Sequence, residues 1–315
     1  MTLTQHAGAL EVTEFGVASP DGRNIAVWRT GPAGPVTPGR VAIVAPGFAR
    51  RMRHMAPVAR YLVENGFVVY RCDYIDHVGR SDGDIVDFTI SGMYASLRAV
   101  HEHVLRAEDT EDVVYVAASL AARPCIRLAA EESGVAGIVG IFGVVNTRYT
   151  LARVFGFDHG GRALEEIGPD EHVMFEGKHI NNLRFSYDWY HNDWLDVAGT
   201  VRDVERLTCP IVNICGSADD WISVAEVKEV LAAAGGFRRV IELPYVEHEV
   251  SKNPVAGQTV LREVTRCGLE FVADGVPVPE VLEPSFADLA GQIPYERAVD
   301  SGPVRALQPT QKGSR

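Results

Sequence analysis

The feature that most restricts this chain is a repeated alternation of short apolar runs with segments of helical period. Residues 41–45, 67–70, 113–116, 135–142 and 210–215 read as buried strands. Between them, 55–65 has helical spacing and stops at Gly66, while Met93, Leu97, Val100 and Val104 mark one face of a second helix. Such alternation implies a mostly parallel sheet with crossover helices, the α/β class. Residues 12–18 and 24–29, separated by Pro20-Asp21-Gly22, read as an N-terminal hairpin that adds antiparallel edge strands. Ser223 and Glu226 form a capping-box pattern for a helix over 224–234, closed by Gly235.

Strand 113–116 runs into Ala117-Ala118-Ser119-Leu120-Ala121, and a helix-period stretch follows over 120–132. A serine on a sharp strand-to-helix turn is lifted above the sheet edge, and small residues two before and two after let neighbouring backbone approach it. An ordinary helix N-cap serine gives the same local pattern. What distinguishes the two readings lies downstream. Strand 210–215 runs into Gly216-Ser217-Ala218-Asp219, and 240–244 runs into Tyr245-Val246-Glu247-His248, so each places a polar group just past a strand's C-terminal end. The chain order Ser119, Asp219, His248 is that of nucleophile, acid and base in α/β-hydrolases. In that fold the loop after the first buried strand, here Pro46-Gly47-Phe48-Ala49, supplies one oxyanion-hole N–H, and the residue after the nucleophile supplies the other. The expected donors are Phe48, with Ala49 as the alternative, and Leu120.

Composition narrows the rest. With 315 residues, 46% hydrophobic and 23% charged, the chain fits one globular domain with an insertion. The expected division is a core of 1–144 and 207–300, a cap of 145–206, and a tail of 301–315 whose Gln, Thr, Gly and Ser content points to disorder. No stretch approaches the ~20 apolar residues of a membrane span, and the start lacks the basic and apolar regions of a signal peptide, so a cytoplasmic location is expected. A net charge of −12 argues against nucleic acid as a partner. Cys72, Cys125, Cys209, Cys215 and Cys267 are scattered and lack CxxC spacing, so they read as reduced core thiols, and neither a metal nor a cofactor is expected. One local exception to the acidic balance is Arg50-Arg51-Met52-Arg53. Arg50, Arg51 and Arg53 either contact a phosphate or acidic partner at the site's mouth or form a solvated helix start. Within 145–206 the strand-helix rhythm breaks and nine aromatics gather, which either pack the cap's own core or line a tunnel for an apolar chain; the second is the favoured expectation.

These residues resemble the acyl-carrier-protein thioesterases, or acyltransferases, of bacterial bioluminescence operons. The resemblance is carried by Gly47-Phe48-Ala49-Arg50-Arg51-Met52, Glu64-Asn65-Gly66-Phe67, His77-Val78-Gly79, Ala117-Ala118-Ser119-Leu120 with Ala122-Arg123, Gly143-Val144-Val145-Asn146, Gly156-Phe157-Asp158 and Asp219-Asp220-Trp221. It spans roughly residues 20–295. It implies an α/β-hydrolase fold with Ser119 as nucleophile, Asp219 rather than Asp220 as acid, His248 as base, and an acyl carrier protein or acyl thioester as partner. The cap and the surroundings of His248 depart from that family, so the expected activity is release of a fatty acyl or polyketide chain through an acyl-Ser119 intermediate. The alternatives are a carboxylesterase for small oxygen esters and a non-catalytic ligand-binding protein on the same fold. Oligomeric state is left open.

Overall fold

The computed structural model describes residues 10–32, 39–273, 275–285, 287–289 and 296; the tail at 301–315 lies outside the described residues. The N-terminal hairpin is β1 (Leu10–Ala18) and β2 (Asn24–Pro32), antiparallel and longer than the sequence pattern indicated. The chain then alternates through β3 (Val41–Ala45), α1 (Ala56–Glu64), β4 (Val68–Cys72), α2 (Ile90–Ala107), β5 (Val113–Ala118), α3 (Ala122–Glu131) and β6 (Val135–Ile141). Next come α4 (Thr147–Phe155), a small antiparallel pair β7 (His172–Phe175) and β8 (Lys178–Asn181), α5 (Asn182–His191) and α6 (Val197–Glu205). The sheet resumes with β9 (Ile211–Gly216), α7 (Val224–Ala232) and β10 (Arg238–Leu243), and α8 (Pro254–Phe271) follows.

Eight strands form one sheet in the order β1-β2-β4-β3-β5-β6-β9-β10. From β4 to β10 all pairings are parallel. Helices α1 and α8 pack together on one face, and α2, α3, α6 and α7 form a packed row on the other. Because both faces are covered, β3, β4 and β9 are buried along their whole length, which is why they read as continuous apolar runs rather than alternating ones. The last helix of the 145–206 segment, α6, packs on α3 and α7 and so flanks the sheet, whereas α4 and the β7–β8 pair come beside Ser119 at its C-terminal edge and α5 packs on α2. Among the described residues no helix is long and apolar enough to cross a membrane.

Candidate active site

Parallel strands deliver their C-terminal ends to one edge of the sheet, and three of those ends build the site. Ser119 follows β5 directly and has φ of 50°, the left-handed conformation imposed by the reversal from strand into α3. Gly47, at the end of the first parallel strand, passes so close that a Cβ on it would lie 3.1 Å from the Ala118 carbonyl oxygen and 3.2 Å from Ser119 Cβ. Behind the turn, the Val144 N–H donates to the Ser119 carbonyl at 3.0 Å. The Asn213 side chain, reaching from β9, both accepts from the Gly143 N–H and donates to the Gly143 carbonyl, each at 3.0 Å.

Asp219 and His248 leave the neighbouring strands β9 and β10, so their loops run side by side. Gly216 makes that possible, since a Cβ there would collide with the Val246 carbonyl oxygen, which accepts the Ala218 N–H at 3.1 Å. The structure brings all three side chains together. Ser119 Oγ lies 2.9 Å from His248 Nε2, and His248 Nδ1 lies 2.8 Å from Asp219 Oδ2. The carboxylate is fully buried and the imidazole 10% exposed. A carboxylate can only accept, so Nδ1 carries the ring proton and Nε2 is left to accept from the serine hydroxyl. Oδ1 of Asp219 accepts the N–H groups of Trp221 and Ile222 at 2.8 and 3.2 Å, which fixes the carboxylate's rotation. Asp220 does not join: it is exposed and pairs with Arg153 at 3.5 Å. Such an alignment can take up the hydroxyl proton as the oxygen attacks a carbonyl carbon.

Two contributors are not apparent from the motifs alone. The Trp221 ring stacks on the His248 imidazole, centroids 4.6 Å apart at 30°, and limits how far the base can swing. The Ala49 N–H donates to His77 Nε2 at 3.0 Å. Burial lowers the His77 pKa from 6.5 to about 3, so the ring stays neutral and that nitrogen remains an acceptor. Ala49's amide is thereby committed, and of the two loop amides considered, Phe48's is the one left for a substrate oxygen. The Leu120 N–H stands in the first turn of a helix, where amides lack an intrahelical acceptor. His77 sits in the glycine-rich stretch of the β4–α2 loop; Trp221 is two residues past the acid. Their types and positions were visible, but not their contacts.

Beside Ser119 opens a cavity of about 540 Å³, within the usual span of small-molecule sites. A larger hollow, about 980 Å³ between the hairpin and α2, is bordered by charged groups that pair with each other, Arg29 with Glu108 at 2.7 Å among them, and holds no comparable set. Of the three candidate arginines, Arg50 lines the Ser119 cavity and pairs with Glu176 of the β7–β8 turn at 3.4 Å. Arg51 and Arg53 lie half-buried at the short helical turn that follows, each with partners of its own.

The expectation of an aromatic tunnel is corrected. Of the nine rings in 145–206 only Phe175 lines the cavity, stacked face to face on Phe48 with centroids 4.0 Å apart. Phe185, Trp189 and Trp194 are buried in packing of their own, Phe185 on Trp189 and Trp194 beneath the Arg127 guanidinium, while Phe157, Tyr187 and Tyr190 are exposed. Aromatic density reports ring area to be covered, and rings cover one another as readily as they cover a ligand. The cysteines are all buried, and burial drives the Cys125 thiol upward, away from the thiolate that a nucleophile requires.

A sheet of this order with a Ser-His-Asp relay on its C-terminal edge is the α/β-hydrolase fold. Solved structures bear out the architecture: the Est1E protein of Butyrivibrio proteoclasticus with ferulic acid bound superposes with a TM-score of 0.69 at 19% identity, covering 82% of this chain and 100% of that one. A putative hydrolase from Agrobacterium vitis gives 0.61 at 17%, covering 84% and 99%. Sequence comparison is more specific, since residues 13–301 match the acyl transferase family. An acyl transferase of Photobacterium leiognathi is 31% identical over 92% of this chain and 90% of its own length. One from Photorhabdus luminescens is 33% identical over 85% and 87%. The chain belongs to the acyl transferase family.

Proposed function

We propose that the protein is a serine-dependent acyl thioesterase or acyltransferase that takes a fatty acyl or polyketide chain from an acyl carrier protein through an acyl-Ser119 intermediate. The observation that carries this reading is the unbroken relay from Ser119 Oγ through His248 to the buried Asp219, with the serine at the wall of a cavity that has both apolar and charged lining. His248 takes the hydroxyl proton as Oγ attacks the thioester carbon. The amides of Phe48 and Leu120 hold the oxyanion, and the protonated imidazole returns its proton to the departing thiol. Water entering the same position releases the acid; an alcohol or amine there makes the enzyme a transferase. Since both oxyanion donors are main-chain groups, substitution of the side chains at 48 and 120 leaves them in place. Arg50, which lines the cavity and pairs with Glu176, is on this reading the cation that meets an acidic carrier or its phosphate.

Incubating the protein with a panel of carrier-bound acyl chains and recording its intact mass tests the reading. The expected result is an added acyl mass in the wild type and none in Ser119→Ala, whose turnover falls by about 10⁶-fold. Adducts from short free esters alone would favour a small-ester carboxylesterase. No adduct at all, with no fluorophosphonate labelling of Ser119, would leave a binding protein.

A further inference from the structure

Part of the wall of the Ser119 cavity is made by the beginnings of two helices outside the 145–206 segment. Met55, at the N-cap of α1, together with Pro57 and Val58, faces Pro254, Gly257 and Leu261 of α8. These contribute mostly CH groups, whereas Arg50, Glu176 and Glu249 border the same cavity and carry its charge. The space is therefore amphipathic, with a charged part and an apolar part.

Gly257 stands out in that wall. It lies inside α8, where glycine lowers helix stability relative to alanine, so its presence calls for a reason. Close packing is not the reason: a Cβ built on Gly257 meets only the Val250 carbonyl oxygen, at 3.9 Å. Left-handed backbone is not the reason either, as Gly257 is not among the positive-φ glycines. Gly268, eleven residues on and so on nearly the same face of the helix, differs in kind. A Cβ at Gly268 would meet Phe67 Cζ at 3.4 Å and Leu62 Cδ2 at 3.7 Å, which is ordinary packing against α1 and the residue that precedes β4. One glycine meets protein and the other opens onto the cavity.

Resting on the acyl-enzyme reading above, we propose that the acyl chain runs from Ser119 into the cleft between α1 and α8, away from the cap aromatics, and that Gly257 is the residue that sets how long a chain the cleft accepts. The ligand class is a straight or sparsely branched apolar acyl group whose polar carrier end stays among the charged residues bordering the cavity. A side chain at position 257 would occupy the volume of the distal methylenes. Each methylene excluded from an apolar pocket changes selectivity by about 10- to 200-fold.

The test measures inactivation of the full chain by alkyl fluorophosphonates of two to fourteen carbons, with Ser119 labelling read by mass. Gly257→Leu is expected to move the preferred length at least two carbons shorter and to cut the long-to-short rate ratio tenfold or more. Val58→Phe, entering from the α1 wall, should shift the ratio in the same direction, and it serves if the α8 variant does not fold. Phe157→Ala and Tyr190→Ala, in exposed cap positions, should leave the length profile of the wild type in place. The proposal is overturned if both cleft variants keep the wild-type profile, or if the cap variants shift it instead. Failure of every chain length to label wild-type Ser119 would overturn the acyl-enzyme reading itself, a result distinguishable from an unchanged profile.

Discussion

The sheet edge and the segment beside it balance apolar burial against surface charge differently. Along β3, β4, β5 and β9 almost every side chain is buried, and the polar groups at their ends are fixed by short hydrogen bonds to main chain or to each other. The segment carrying α4, β7, β8 and α5 has two four-residue strands and is laced with charge pairs, Arg148 to Asp158 and Arg162 to Glu171 both at 2.6 Å. Buried apolar area contributes about 25 cal/mol per Å² and is indifferent to salt. Exposed ion pairs contribute about 0 to 1 kcal/mol and are screened. The difference teaches that the proton relay rests on the fully buried layer, whereas the segment beside it adds salt-sensitive pairs to an aromatic packing of its own.

The sharpest way to break this contrast is at the acid. Asp219→Asn keeps the shape but supplies the wrong hydrogen-bond partner for Nδ1, and kcat for acyl release should fall by about 10⁴-fold. Tyr190→Ala in the cap should alter it by less than about twofold. Steady-state kinetics on one activated ester measures both, and a loss of under tenfold in the Asn variant would remove the distinction.

Next in size is the loop that joins the two regions. His77 is neutral and buried, with its pKa lowered from 6.5 to about 3, so the unfolded chain binds that proton more readily than the folded one. Its contribution is intact above about pH 6.5 and is lost progressively as pH falls toward 3, reaching on the order of 4 kcal/mol at the acid end. Urea unfolding across that window should show a flatter acid limb for His77→Gln than for the wild type. Parallel limbs would mean that the ring is not held neutral by the fold.

The smallest effect belongs to the cap surface. Arg148 and Asp158 are each close to half exposed, so Arg148→Ala should cost less than about 1 kcal/mol, and the difference should vanish in 1 M salt, where the screening length is about 3 Å. A larger, salt-resistant loss in chemical denaturation would show that the cap shares the rigidity of the layer beneath.

What was legible in the sequence follows the same division. Residues 41–45 and 211–216 announce themselves because burial on both faces leaves no room for polar side chains, and Ser119, Asp219 and His248 fall at strand ends that local pattern can locate. Asp219 was separable from Asp220 through the resemblance, and the exposed pairing of Asp220 with Arg153 supplies the physical ground for the choice. Phe48 was preferred to Ala49 without sight of the contact that engages the Ala49 amide, which comes from His77, 28 positions away. The cleft was illegible for a related reason. Val260, Val264 and Cys267 show helical spacing, but no periodicity says that the first turn of α8 faces a serine more than a hundred residues earlier. Cap aromatics misled because composition records how much ring area exists and not which neighbour covers it.

The face-to-face contact of Phe48 with Phe175 ties the loop after β3 to the β7–β8 pair. One ring belongs to the loop after β3, whose Phe48 N–H is an oxyanion donor in the proposed mechanism, the other to the β7–β8 pair, and both line the Ser119 cavity. Displacing either ring would expose the face of the other, so the shape of this wall depends on the β3 loop and the β7–β8 pair together.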